Sequence, residues 1–129
     1  MSQIKIYGLA THLDPIKSAL SDVLHGCVIE ALHYPENKRA HRFFKLNADD
    51  FYTPEGRSEK YTIIEISMFK GQTVESKKAL IHLIFARFEA QLGITPHDVE
   101  ITIFETPRHD WGIRGKTGDE LALNYKVEV

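Results

Sequence analysis

The sequence predicts an α/β protein in which two tandem β-α-β units form one sheet with two helices on one face. Two features predict this fold. Apolar residues alternate with polar ones at two places about sixty residues apart, and an amphipathic helical pattern follows each of these strands. A chain of 129 residues is near the usual size of one domain. We therefore expect residues 1–129 to form a single domain with halves at about 1–58 and 59–129.

The first half begins with a short strand, because residues 4–8 alternate apolar and polar side chains. Asp14 and Pro15 then predict a helix start. The Asp carboxylate can accept hydrogen bonds from the free backbone N–H groups of the first turn, and Pro in that turn costs no hydrogen bond. We expect the helix to end at residues 34–35 and a second strand to follow over residues 42–46. The apolar stripe of the helix has spacings of three and four, typical of one buried face: Ile16, Leu20, Val23, Leu24, Cys27, Val28, Ala31 and Leu32.

The second half repeats the same order of elements. Residues 61–69 predict a strand, and Thr73 is a suitable cap for a helix over residues 74–92, which Gly93 should stop. Alternating apolar residues predict a fourth strand over residues 99–104.

The two halves match at an offset of 60 residues. The paired apolar positions are Ile4 with Ile64, Ile6 with Ile66, Leu20 with Leu80, Leu24 with Ile84, Val28 with Phe88, and Leu32 with Leu92. We interpret this as an internal duplication. Strands within each half should be parallel, and both helices should cover one face of the sheet. The other face also carries apolar groups, so we expect another subunit to bury it.

Composition narrows the functional classes. The 16 Lys and Arg residues are dispersed and the net charge is −2, which argues against a nucleic-acid partner. Cys27 is the only cysteine, so no internal disulfide or cysteine zinc cluster can form, and a reducing cytoplasm suits the chain. The sequence shows neither an export signal nor the ~20 apolar residues of a membrane span.

An ordered string of residues runs through residues 57–66 and continues at Gly71, Glu75, Lys77, residues 92–94, Pro96, residues 98–99, Glu105 and residues 110–112. This string resembles the tautomerase superfamily, which includes 4-oxalocrotonate tautomerase, macrophage migration inhibitory factor and malonate semialdehyde decarboxylase. The resemblance implies a homotrimer with small pockets at subunit boundaries near the amino termini, and chemistry without a cofactor.

The resemblance also implies a set of site residues. The amino-terminal proline whose amine serves those enzymes as base or acid is replaced here by Ser2. Two cationic residues after the third strand match Lys70 and Gln72. The aromatic residue of the pocket wall matches Trp111, and Arg114 lies close after it.

The decarboxylating members of the superfamily use an acidic residue whose matching position in this chain is not acidic. Depending on the alignment, the matching position is Lys38 or His41, and we place His41 and the neighbouring Arg42 among the substrate-binding candidates.

These residues favour one chemistry and leave an alternative open. An α-amino group titrates near ~7.7–8.0, so the amine of Ser2, freed by removal of Met1, could act as a base or form an imine with a carbonyl compound. Lys70 either holds a substrate carboxylate or is a solvated turn lysine. The leading hypothesis is a cofactor-free enzyme acting on a small keto or enol carboxylic acid. The alternative is a non-catalytic trimer that binds a small anion or a protein.

Metal and hydrolase chemistry are not indicated by the sequence. The seven histidines show no HExxH pattern, so we predict no metal site. Residues 108–110 and 117–120 are polar but lack the order of nucleophile and base that marks a hydrolytic triad, and we interpret them as a loop and a turn.

Overall fold

A computed structural model describes residues 2–121 of the chain. The regular elements are, in chain order, β1 (Ser2–Leu9), α1 (Ala10–Leu13), α2 (Lys17–Leu32), β2 (His41–Leu46), β3 (Thr62–Phe69), α3 (Val74–Leu92), β4 (Val99–Thr106), β5 (Gly112–Ile113) and β6 (Lys116–Thr117). Four single 3-10 turns lie at Ala48–Asp50, Pro96–Asp98, Arg108–Asp110 and Gly118–Glu120. In residues 2–121 no helix combines the length and the apolar character that crossing a membrane requires.

The main sheet confirms the predicted pair of β-α-β units. Its strand order is β2-β1-β3-β4, with β1 parallel to β2 and β3 parallel to β4. The halves join through the antiparallel pair of β1 and β3, in which Lys5 faces Glu65 and Ile4 faces Ile66. Since Ile6 faces Ile64 in the same ladder, the two halves are related by an approximate two-fold axis through the pair of Lys5 and Glu65.

The core lies between the sheet and the two long helices. Alternate residues of β1 and β3 point to this side and are buried, as the period of two requires. α2 and α3 pack against each other across the same face, so one helical layer covers the sheet. The residues of this core include Ile4, Ile6, Leu20, Leu24, Val28, Ile64, Ile66, Leu80, Ile84 and Phe88.

The opposite face of the sheet carries aromatic and charged side chains side by side. Tyr7 stacks on Phe44 with ring centroids 4.8 Å apart, and the Tyr7 hydroxyl donates to Glu65 Oε1 at 2.6 Å. Phe104 on β4 is 47% exposed. This uncovered face is therefore partly apolar, and charged side chains lie between its aromatic rings.

The predicted start of the first helix is wrong. β1 leads directly into the single turn of α1, and Asp14 follows its last residue and closes it. α2 begins only at Lys17, after Ile16, and has no side-chain cap. The carboxylate of Asp14 instead binds Lys45 Nζ at 2.9 Å, because Asp followed by Pro can end one turn as well as begin another helix.

The ends of both long helices follow the internal repeat. Thr73 Oγ1 accepts a hydrogen bond from the backbone N–H of Ser76 at 3.1 Å, so the predicted cap and the bounds of α3 are confirmed. Gly93 stops α3 with φ at 67°. α2 ends in the same left-handed geometry at His33, whose φ is 58°, one residue before the predicted end at Tyr34. His33 and Gly93 stand 60 residues apart.

Candidate functional site

Ser2 lies at the end of the sheet where β3 and β4 finish. It is the first residue of β1, is 5% exposed, and faces Met68 in the antiparallel ladder. Lys70 follows two residues after Met68, and its backbone N–H donates to the carbonyl of Thr106 at 2.9 Å. Topology therefore brings Ser2 and the turn that carries Lys70 to one end of the sheet.

Lys70 supplies a cation at this end of the sheet. Its side chain is exposed, and within residues 2–121 we find no ion pair for it. Lys77, on the first turns of α3, is instead held 2.7 Å from Glu105 Oε1, and both side chains are about one quarter exposed. The ammonium group of Lys70 is thus available for an external anion.

Gln72 is directed into the protein. It is 6% exposed, and its Nε2 donates to the hydroxyl of Tyr34 at 3.3 Å. Its Oε1 is buried without a hydrogen-bond partner among the residues that the structure describes. Tyr34 was not predicted as a site residue, and only its place directly after the first helix signals that it reaches this end of the sheet.

Trp111 reaches the same end through Phe69. The two rings meet edge to face with centroids 5.0 Å apart, and Phe69 is the neighbour of Met68 in β3. The carbonyl of Trp111 accepts from the backbone N–H of Gly118 at 2.6 Å, which ties the loop after β4 to the last 3-10 turn. Trp111 therefore lies at the same end of the sheet as Ser2.

Arg114 occupies the tip of a hairpin that sequence reasoning missed. β5 and β6 pair antiparallel, and the two residues between them, Arg114 and Gly115, have φ values of 52° and 79°. Positive φ at both loop residues is the geometry of a type I′ hairpin turn. The exposed Arg114 lines an open groove of about 330 Å³ with Lys116 and Glu120.

His41 and Arg42 lie on opposite faces of β2, so one pocket of one chain cannot use both. His41 faces α2, where its Nδ1 lies 2.8 Å from Ser21 Oγ. Burial, with the nearby charges of His25 and Arg39, lowers the pKa of His41 to about 4, so its ring is neutral at pH 7. Arg42 lies on the uncovered face and donates to Gln3 Oε1 at 3.2 Å.

The described residues show no metal-binding cluster. Within residues 2–121, no group of three or more His, Cys, Asp or Glu side chains is placed to hold an ion. At the Ser2 end of the sheet, Lys70 can bind an anion and the half-buried Trp111 offers apolar surface, whereas Phe69 and Gln72 Oε1 are buried.

Comparison with known proteins identifies the family. The family described as tautomerase enzyme matches residues 38–114, which is more than half of the chain. The chain therefore belongs to the tautomerase family. A relative from Bacillus subtilis (strain 168), described as probable tautomerase YusQ, is 29% identical over 97 residues, which cover 71% of this chain and 76% of the relative.

Solved structures show the same fold at low sequence identity. A malonate semialdehyde decarboxylase superposes with a TM-score of 0.80 and 22% identity, covering 88% of this chain and 92% of that one. A fused 4-OT described as a symmetric trimer superposes with a TM-score of 0.77 and 23% identity, covering 91% of this chain and 96% of that one. The predicted tautomerase fold is thereby confirmed.

Proposed function

We propose that this chain is a cofactor-free enzyme that moves a proton on a small keto or enol carboxylic acid, with the α-amino group of Ser2 as the base. The observation that carries the proposal is the burial of Ser2, which is 5% exposed, beside the turn that bears Lys70 and Gln72. A free α-amino group titrates near ~7.7–8.0, so part of it is unprotonated at neutral pH.

Each neighbouring group has a role in the proposed reaction. The amine accepts the proton of the enol hydroxyl and returns a proton to the adjacent carbon, which gives the keto acid. The Lys70 ammonium binds the carboxylate as a point charge. Trp111, which packs on the fully buried Phe69, contacts the apolar part of the substrate and excludes water.

We also propose that three copies of the chain assemble. The structural neighbour described as a symmetric trimer supports this, as does the uncovered sheet face with its exposed Phe44 and Phe104. A neighbouring copy would then cover a face that the chain itself leaves open.

The amino terminus provides the test of the proposed function. Ketonisation of phenylenolpyruvate should occur with chain whose intact mass shows loss of Met1. A variant extended by three residues before Ser2 should lose at least about 100-fold in kcat/KM, because general-base catalysis contributes roughly 10²–10⁴-fold and an amide nitrogen cannot serve as the base. Ser2→Pro should retain or raise the rate, since it keeps a free amine.

Two lysine variants separate the role of the Ser2 amine in catalysis from the binding of the substrate carboxylate. Lys70→Ala should raise KM about tenfold with little change in kcat, the effect expected from loss of one charge-assisted hydrogen bond. Lys78→Ala, at an exposed lysine of α3, should change neither value. Equal activity in the extended and unextended chains would remove the Ser2 amine from the mechanism.

A further inference from the structure

A cavity lies at the opposite end of the sheet from Ser2. Its volume is about 380 Å³, within the range of roughly 300–1,000 Å³ that small-molecule sites occupy. Ile16 and Leu92 supply apolar walls, and His12, Glu59 and Lys60 supply polar ones. None of these five residues belongs to the site proposed around Ser2.

The hydrogen bonds of Thr62 fix the tautomer of His12. The Thr62 hydroxyl donates its one proton to the carbonyl of Lys60 at 2.8 Å. At its contact with His12 Nε2, 3.2 Å away, the same hydroxyl must therefore accept, so Nε2 carries the proton. In the neutral ring Nδ1 is then the bare nitrogen, and within residues 2–121 we find no hydrogen-bond partner for it.

The surroundings of His12 keep its ring neutral. Burial lowers the pKa of His12, and the Lys60 ammonium lowers it further, against the opposing effects of Asp98 and Glu59. The carboxylate of Asp98 is held by Ser58, which donates to it from its backbone N–H at 2.8 Å and from its hydroxyl. At pH 7 His12 therefore presents a hydrogen-bond acceptor, not a cation.

Lys60 supplies the positive charge of the cavity. Its Nζ lies 3.3 Å from the carbonyl of Gly93 at the end of α3, and an ammonium group has three donors, so two remain for a ligand. Glu59 balances this charge in the same wall. The cavity therefore tolerates a ligand with one negative charge better than a ligand with two, which favours a monocarboxylate.

The cavity also has a definite relation to the internal repeat. His12 stands 60 residues before Gln72, and Thr62 stands 60 residues after Ser2, so the approximate two-fold axis carries the Ser2 end onto this one. At Thr62 the backbone nitrogen is part of a peptide bond and offers no amine. The basic nitrogen at this end is that of an imidazole.

We propose that this cavity is a second small-molecule site, which binds a 2-hydroxy or enol monocarboxylic acid with an apolar body. The ligand hydroxyl donates to His12 Nδ1, the carboxylate pairs with Lys60, and the apolar body packs on Ile16 and Leu92. The site is independent of the Ser2 amine and needs no turnover to be occupied.

Three probes test the two polar contacts separately in chain extended before Ser2, so that the Ser2 amine takes no part. Mandelate carries both the hydroxyl and the carboxylate, phenylacetate lacks the hydroxyl, and mandelamide lacks the charge. Calorimetry should give at least about tenfold tighter binding for mandelate than for either other compound, since each hydrogen bond to a charged or buried partner is worth roughly that factor.

Matched variants assign each contact. His12→Leu should bind mandelate no better than phenylacetate, and Lys60→Gln should bind mandelate no better than mandelamide. His82→Leu, at an exposed histidine of α3, should leave all three affinities unchanged. Mandelate binding that survives His12→Leu, or an absence of millimolar binding in the parent chain, would overturn the proposal.

Nitrogen NMR of the unmodified chain supplies a test that needs no variant. The His12 ring should show the Nε2–H tautomer without ligand, and its Nδ1 signal should shift on addition of mandelate while the His82 ring does not. A protonated Nδ1 in the free chain would contradict the proposed acceptor. The proposed enzyme at Ser2 would be untouched by that result.

Discussion

Gly118 is a residue at which the structure has no room for a side chain. A Cβ at this position would lie 2.5 Å from the carbonyl oxygen of Arg108 and 3.0 Å from Phe69 Cε1. The first contact is with backbone, so relief requires movement of the turn that precedes Trp111. The packing of Trp111 on Phe69 thus depends on the absence of a side chain at Gly118.

Gly118→Ala is expected to destabilise the chain by about 1–3 kcal/mol, the usual cost of overpacking, and to loosen Trp111 from Phe69. Urea unfolding followed by fluorescence measures both effects, because Trp111 is the only tryptophan and its emission should shift to the red. Gly112→Ala is the control, since a Cβ there meets nothing within 4 Å. Equal stability of the two variants would contradict this account.

At the residue scale, the sequence indicates which end of the sheet a candidate residue reaches better than how deeply its side chain is buried. Lys70 and Trp111 are candidates because of their places in an ordered motif, and both lie at the Ser2 end of the sheet. The depth of Gln72 depends on Tyr34 from the other half, a contact no local pattern reveals. The separation of His41 from Arg42, by contrast, follows from strand alternation alone.

The helices show which local signals are reliable. The predicted bounds of α3, about Val74 to Leu92, are confirmed because Thr73 and Gly93 act as cap and stop through geometry confined to a few neighbouring residues. The start of α2 was misplaced, since Asp14 and Pro15 fit both the end of α1 and the start of a helix. The short pair of β5 and β6 lacks the length at which alternation becomes visible in a sequence.

Thr73→Ala should lower the free energy of unfolding by about 0.5–2 kcal/mol, because the N–H of Ser76 loses its acceptor. Urea titration at fixed pH measures the change, and Thr73→Ser should restore most of the loss. Thr95 offers a matched control: it precedes the 3-10 turn Pro96–Asp98 in the same way but makes no side-chain cap. Thr95→Ala should therefore cost less than Thr73→Ala.

At the scale of the whole molecule, the uncovered sheet face is where we expect subunits to meet. Phe104→Glu should dissociate the proposed trimer, because it would bury an unpaired charge in the contact. Sedimentation velocity at micromolar concentration distinguishes one chain mass from three. Val74→Glu introduces the same charge at a side chain 57% exposed at the start of α3, and should remain trimeric. If the Phe104→Glu variant remained trimeric, the contact between subunits would lie elsewhere on the chain.

The approximate two-fold axis through Lys5 and Glu65 has a consequence for how the chain can be divided. The halves touch mainly through the ladder of β1 with β3 and the packing of α2 on α3, whereas the chain between them passes through an exposed run that includes Tyr52, which is 93% exposed. Gly56 lies in that run, and a Cβ added to it would meet no atom within 4 Å. Two separately expressed fragments that meet at Gly56 should therefore reassemble in solution, since the strands and helices that hold the halves together lie outside this junction.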